Sequence, residues 1–360
     1  MERRLRVLLD GRALTDSSAF RGIGTYVREV VAGLATTEGL DLSVLCSRKA
    51  VLPSGAGRVP ALRIAPPRWQ AKEHDLLLPL DLRRAGADVV FSPALDPPSR
   101  CAQPWVQTLH DTWPVLAGDD GASAGRWRRQ AERYRKAAAV IAVSSWSAQG
   151  AVDLLGLDPS RVHVVPHGVS RVFHPGEGPA DPPYVLFVGE YDPRKRHAHA
   201  FAAIGALAEQ GLPHRLVVTG RIAPWFAGRM DELVAQSPRP DRIELRGHVG
   251  LDELVRLYQG AAALLVTSEG EGFGFPALEA MASGAPVIAY DNSATTEVVG
   301  DGGVLVPDGD LDALVASLTA VLTEPSEQQR LREAGLARAA AFSWEASVAR
   351  HAAILRSVAR

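Results

Sequence analysis

Residues 269–286 read Glu269-Gly-Glu271-Gly-Phe-Gly-Phe-Pro276-Ala-Leu-Glu279-Ala-Met-Ala-Ser-Gly284-Ala-Pro286. The apolar run Ala263–Val266 leads in, so the segment reads as a strand, a glycine-rich turn and a helix. Pro276 stands where the first helical residue should fall, and its missing N–H costs nothing there. Gly272 and Gly274 let the backbone come close to a ligand, and the new helix turns its unpaired N–H groups towards it. That arrangement suits a diphosphate and does not call for a cation. Glu271 in the loop and Glu279 in the first helical turn accept hydrogen bonds only, which suits sugar and ribose hydroxyls. The plainer alternative is a solvated Glu271 and a Glu279 that merely complements the helix dipole.

Working outward, short β-branched runs recur on both sides of this segment. Before it come Arg6–Leu9, Leu42–Leu45, Val89–Ser92, Val106–Leu109, Val140–Val143 and Val162–Val165. A Pro- and Gly-rich stretch from His174 to Pro183 interrupts the series like a linker. The pattern then restarts with Tyr184–Val188, Arg215–Val218, Ile243–Leu245, Ala263–Val266, Val287–Ala289 and Val304–Val306. Strands alternating with helical spacing predict an α/β chain of two Rossmann-like domains, each with a parallel sheet, facing a central cleft. The boundaries expected are 1–175 and 176–343. The last segment, 344–360, reads as a helix with Val348, Ile354 and Leu355 inward.

Composition narrows the function. With 360 residues, two ordinary domains can each bury a core. Lys plus Arg number 39 against 41 Asp plus Glu, a net charge of −2 that excludes a globally basic nucleic-acid binder. Cys46 and Cys101 make no metal-ligand spacing and suit a reduced, cytoplasmic protein. No apolar h-region precedes the first strand, and no run approaches the roughly 20 apolar residues a membrane span needs. A basic segment, Arg126 to Lys136, interleaves Trp127 and Tyr134. It is either a solvated helix face or a weak peripheral contact for anionic lipid or acceptor.

Three further features carry chemistry. Gly22-Ile-Gly24 precedes a helix bearing Val27, Val30, Val31 and Leu34; alone it is a common Rossmann-type turn. His110, followed by Asp111, stands at the end of a strand, where a lone His is more often structural. Arg194 and Lys195 share one short loop, suited to a leaving group that gains negative charge and equally readable as a solvated basic turn. The third glycine of a dinucleotide-binding fingerprint is missing after Gly22-Ile-Gly24, which argues against a dehydrogenase. A sugar-nucleotide epimerase and a catalytically silent sugar-nucleotide-binding protein remain alternatives.

In order and spacing the chain resembles the family-4 retaining glycosyltransferases of the GT-B fold. The resemblance rests on Glu271-x7-Glu279, Met281-Ala-Ser-Gly284-Ala-Pro286-Val, Glu297-Val-Val-Gly300, Gly22-Ile-Gly24-Thr-Tyr26, His110-Asp111, Ser144-Ser145, Pro166-His-Gly168, Asp192-Pro-Arg194-Lys195 and Phe342-Ser-Trp344. It implies an acceptor on the N-terminal domain, a nucleotide sugar on the C-terminal domain, and a last helix that crosses back to the first. It also implies roles. Glu271 and His110 would be catalytic groups at the transferred sugar, and Glu279 would hold the ribose. Arg194 and Lys195 would face the diphosphate, with Gly22, Gly24, Val249, Gly272, Phe273, Gly274 and Phe275 around the donor. No metal and no cofactor are expected, because the nucleotide sugar is a substrate. Many relatives carry Arg where this chain has Glu190, and Arg194 would supply that charge, as in mannosyltransferase-like members with GDP-mannose as donor.

Overall fold

In this computed structural model the described residues are 3–15, 22–60, 77–93, 97–112, 122–222 and 227–359. They fall into two compact units, 1–168 with 343–360, and 169–342. The first contains β1 (Leu5–Asp10), α1 (Gly22–Ala35), β2 (Leu40–Cys46), β3 (Gly57–Pro60), α2 (Leu78–Arg84), β4 (Val89–Ser92), β5 (Trp105–Leu109), α3 (Ala122–Tyr134), β6 (Ala139–Ala142), α4 (Ser145–Asp153) and β7 (Val162–Val164). The second contains β8 (Tyr184–Val188), α5 (His197–Glu209), β9 (Arg215–Thr219), α6 (Ala227–Ala235), β10 (Ile243–Gly247), α7 (Leu251–Gly260), β11 (Ala263–Val266), α8 (Phe275–Ala282), β12 (Val287–Asp291), α9 (Ser293–Val299), β13 (Val304–Pro307), α10 (Leu311–Thr323) and α11 (Pro325–Ala340). The closing helix α12 (Trp344–Val358) belongs to the first unit.

Every strand pairing among the described residues is parallel, so both units are Rossmann-like. The first sheet runs β3-β2-β1-β4-β5-β6-β7 and the second β10-β9-β8-β11-β12-β13. Parallel strands covered on both faces need continuous apolar runs, and β4, β5 and β6 are buried at every position. On one face of the first sheet, Leu78 and Leu82 of α2 and Ala131 and Tyr134 of α3 join Leu8, Val90 and Val140 in one cluster. Helices α1 and α12 pack on each other, and a Cβ at Gly33 would lie 2.4 Å from Val348. In the second sheet Val185, Leu216, Leu265 and Ile288 pack with Phe201 and Ile204 of α5 and Leu314 and Leu318 of α10.

Strand order reverses beside the first strand of each unit, between β1 and β4 and between β8 and β11. Loops at such a switch point diverge to opposite faces and leave a crevice beyond the carboxyl ends of the strands.

Several sequence expectations change. The first unit ends at Gly168, not at 175. Val169 already donates to the Phe342 carbonyl, and Phe173 stacks edge-on against Tyr258, so both belong to the second unit. Strand β3 was not expected, because Gly-Arg-Val-Pro carries no apolar run; it is an edge strand paired only with β2. Gly22 and Gly24 lie inside the first turn of α1, not ahead of it. In the basic segment Tyr134 is buried in the core, and Arg133 donates to the Pro97 carbonyl at 3.4 Å. Arg128, Arg129, Arg135 and Lys136 are exposed, whereas the side chains of Arg126 and Trp127 lie outside the described set. No helix among the described residues is long and apolar enough to cross a membrane.

Candidate active site

The second unit builds its site from the two loops that leave β8 and β11 at the switch point. After β8 the chain turns through Tyr191 into a 3-10 turn, Pro193–Lys195, whose first N–H groups are capped by Asp192 accepting from Arg194 N at 2.8 Å. Arg196 then takes a left-handed conformation, φ 48°, and α5 begins. This basic turn is stitched to the neighbouring loop by its backbone. Thr267 Oγ1 donates to the carbonyls of Lys195 (2.7 Å) and Arg196 (3.2 Å), and Glu269 N donates to the Arg194 carbonyl (2.8 Å). The Arg196 guanidinium bridges Glu269 at 3.3 Å and Asp308 at 2.7 Å.

These contacts sort the cations. Arg196 is committed to structure. Lys195, almost wholly buried, puts Nζ 2.5 Å from Glu271 Oε1, which also accepts from Ser268 Oγ at 2.6 Å. The Glu271 backbone is held as firmly: its N–H donates to Ser293 Oγ at 2.9 Å, and Ala294 N donates to its carbonyl at 3.3 Å. Ser293 accepts a strained φ of 50° to do this. Burial by itself pushes the Glu271 carboxyl up. The charges of Lys195 and Arg194, with the hydrogen bonds from Lys195 and Ser268, outweigh burial and hold it below the usual carboxylate range.

From Glu271 the chain reaches α8 through Gly272, Phe273 and Gly274. Gly274 is left-handed, φ 103°, immediately before the helix, and a Cβ there would meet nothing within 4 Å. The backbone therefore borders open space where the helix begins. Pro276 has no N–H, however, and Ala277 N and Leu278 N already donate to the Gly274 carbonyl at 3.1 and 3.4 Å. The first turn thus offers the positive end of its dipole and not the unpaired N–H groups expected. Phe273 is buried between Phe275 (5.4 Å) and Phe342 (6.0 Å), so its ring anchors the turn and only its backbone can face a donor. Glu279 does not lie in the first turn, which holds no acidic residue, so dipole complementation does not explain it. Its half-buried carboxylate accepts from the Tyr258 hydroxyl at 2.9 Å. Burial raises its pKa to about 7, with the Tyr258 hydrogen bond opposing. Val249 lies half-buried between β10 and α7; β10 is the sheet edge, with β9 between it and β8.

The first unit carries a second polar focus. Here Tyr26 of α1 is fully buried and central. Its hydroxyl lies 2.8 Å from Thr108 Oγ1 and 2.7 Å from His351 Nε2. The ring sits 5.1 Å from His110, 4.7 Å from His167 and 6.3 Å from Trp344. His351 Nδ1 faces the Ser347 carbonyl at 2.7 Å, so Nδ1 carries the proton, Nε2 accepts from Tyr26, and Tyr26 accepts from Thr108. His110 Nε2 faces the Pro93 carbonyl at 2.7 Å and is likewise the protonated nitrogen, leaving Nδ1 as an acceptor. Burial, opposed by that hydrogen bond, lowers the His110 pKa to about 4, so the ring is neutral at physiological pH.

Sequence reasoning missed Ser268, Ser293, Tyr258, Tyr26 and His351 as site residues. Ser268 stands three residues before Glu271 in a loop without periodicity, Ser293 meets Glu271 only in space, and Tyr258 reads in the sequence as one more apolar position of its helix. His167 belongs with the buried rings, as the plainer reading of a lone histidine has it.

Residues 20–172 match the family model described as Glycosyltransferase Family 4, and residues 172–338 the one described as Glycosyl transferases group 1. An MMP alpha-(1->4)-mannosyltransferase of Mycolicibacterium hassiacum is 32% identical over 71% of this chain and 66% of its own length. A D-inositol 3-phosphate glycosyltransferase of Acidothermus cellulolyticus is 32% identical over 69% of this chain and 61% of its own. The match thus spans less than two thirds of either relative. A solved structure of sucrose-phosphate synthase from Thermosynechococcus elongatus shares the fold, with a TM-score of 0.81 at 22% identity over 98% of this chain and 99% of that one.

Proposed function

The chain belongs to the family-4 glycosyltransferases, and on that premise we propose that it transfers a hexose from a nucleoside-diphosphate sugar to an acceptor hydroxyl with retention of anomeric configuration. The observation that carries the reading is the Lys195–Glu271 pair, locked at the β8/β11 switch point in the loop that leads into the N-terminus of α8. A nucleotide sugar brings both partners such a pair needs: phosphate oxygens for Lys195 and sugar hydroxyls for Glu271. As the glycosidic bond breaks, charge builds on the diphosphate. Lys195, Arg194 and the positive end of the α8 dipole meet that charge, so turnover does not depend on a metal ion. Neutral His110 keeps Nδ1 as an acceptor for a substrate hydroxyl at the first unit, and the departing diphosphate takes the acceptor proton in a front-side attack.

Mannose is the proposed sugar and GDP the proposed carrier, supported by the Pro-Arg-Lys loop and by the mannosyltransferase among the relatives. The proposed reaction is cytoplasmic, supported by two cysteines without metal-ligand or disulfide-framework spacing. The exposed Arg128, Arg129 and Lys136 are available to an anionic acceptor or lipid surface. The test is proton NMR of the protein incubated with GDP-mannose and excess EDTA. The reading expects release of mannose or mannoside with the α configuration kept at first appearance. An inverted product, or turnover abolished by chelation and restored by metal, would overturn it.

A further inference from the structure

Glu279 is joined to a residue with no assigned role. Tyr258, in α7, is completely buried and wedged edge-on by Phe173 at 5.7 Å. Its helix is tied down next door, where the Leu257 carbonyl accepts from Tyr184 OH at 2.8 Å. The phenol therefore has one place to point, and at 2.9 Å its hydroxyl donates to Glu279 Oε2. Burial pushes the Tyr258 pKa well above the ordinary value, so the phenol keeps its proton.

The consequence lies in the carboxylate's geometry. The last torsion of a glutamate is broad, and a carboxylate in the second turn of α8 would otherwise sweep a range of orientations. A fixed donor on Oε2 holds the plane of the group and presents Oε1, together with the second lone pair of Oε2, in one direction. Two acceptors at fixed pitch suit two adjacent hydroxyls on one ring. A ligand lacking that pair leaves a desolvated acceptor unmatched, which costs more than the missing bond itself would gain.

We infer that Tyr258 is a positioning residue that makes the donor site select ribonucleoside diphosphates over analogues without the vicinal ribose diol. The inference rests on the reading of Glu279 as the ribose-binding group. The test is calorimetric titration with GDP, UDP, ADP and CDP, followed by the 2′,3′-dideoxy form of the tightest binder. Wild-type protein should prefer the ribonucleotide by about tenfold or more. In Tyr258→Phe that preference should fall to about threefold or less, while affinity for the dideoxy form stays within about twofold. Tyr258→Met, which also lacks the hydroxyl, should show the same loss, and melting curves of both variants establish that they fold.

The outcomes separate the failures. If no nucleoside diphosphate binds, the donor site itself is misread. If wild type binds but does not discriminate, Glu279 does not hold the ribose. If wild type discriminates and both variants discriminate equally well, Tyr258 does not position Glu279. Equal weakening of both ligands makes Tyr258 a structural residue and overturns the inference in the same way.

Discussion

Two carboxylates, Glu271 and Glu279, sit at the same site with opposite electrostatics. Glu271 is held low because Lys195 and Arg194 more than offset its burial; burial raises Glu279 to about 7, with the Tyr258 hydrogen bond opposing. Their roles can be separated by measurement. Glu271→Ala should cut turnover by about a hundredfold or more while leaving affinity for free nucleoside diphosphate unchanged or tighter, since it releases Lys195. Lys195→Ala should lower both turnover and diphosphate affinity, the latter by about 1.5–3 kcal/mol. Calorimetry showing that Glu271→Ala loses nucleotide in step with rate would reverse the assignment. The raised pKa of Glu279 has its own signature. Between the unfolded value and about 7 the folded chain holds a proton the unfolded chain has lost, so stability falls as pH rises through that window. Glu279→Gln should therefore melt higher than wild type above about pH 7, by about 1–3 kcal/mol, while binding ribonucleotides less well. An unchanged or lower melting temperature would contradict the desolvation argument.

Among the elements, glycines mark where helices and turns come too close for a side chain. At Gly168 an added Cβ would lie 2.2 Å from the Trp344 backbone nitrogen, where α12 begins. Gly168→Ala should thus displace α12 and destabilise the first unit by about 1–3 kcal/mol or more. Gly274→Ala meets open space but must adopt φ 103°, so its cost of about 1–2 kcal/mol is conformational and should fall on the α8 turn and on nucleotide affinity. Gly228→Ala, in α6 with no neighbour within 4 Å and an ordinary φ, is the control and should be neutral or stabilising by about 0.5 kcal/mol. Thermal melts rank the three. The elements were largely legible beforehand because buried parallel strands write themselves as short apolar runs. The exceptions have physical causes. An edge strand such as Gly57–Pro60 needs no apolar run, and the Val169–Phe173 segment leaves the first unit ahead of the proline-rich stretch that looks like the linker. Positions such as Ser293 and Tyr258 act through contacts across 22 and 21 residues, which no local pattern encodes.

For the whole molecule, both units depend on neutral buried histidines. Burial lowers His110 and His351 to about 4 in the first unit and His197 to about 3 in the second, and each is neutral when folded. The unfolded chain protonates these rings first, so stability is full above about pH 6.5 and is lost as pH falls towards the folded values. At about pH 5.5 each should cost about 1 kcal/mol. Between about pH 7 and 5, Glu279 gains about 2 kcal/mol as pH falls while the three rings together lose about 5 kcal/mol. The melting temperature should therefore drop over that window, and His351→Asn should flatten that slope. A slope unchanged by the substitution would mean that His351 is protonated without penalty. The central claim is that the second unit is a nucleotide-sugar site whose anion is met by Lys195 and the α8 N-terminus. Its most direct test is calorimetric titration of the protein with GDP-mannose in EDTA, beside the Lys195→Ala, Glu279→Ala double variant. The account predicts saturable binding to wild type in the absence of metal and at least a hundredfold weaker binding, by about 3 kcal/mol, to the folded double variant. Binding that requires a divalent ion, or that survives undiminished in the double variant, would contradict it.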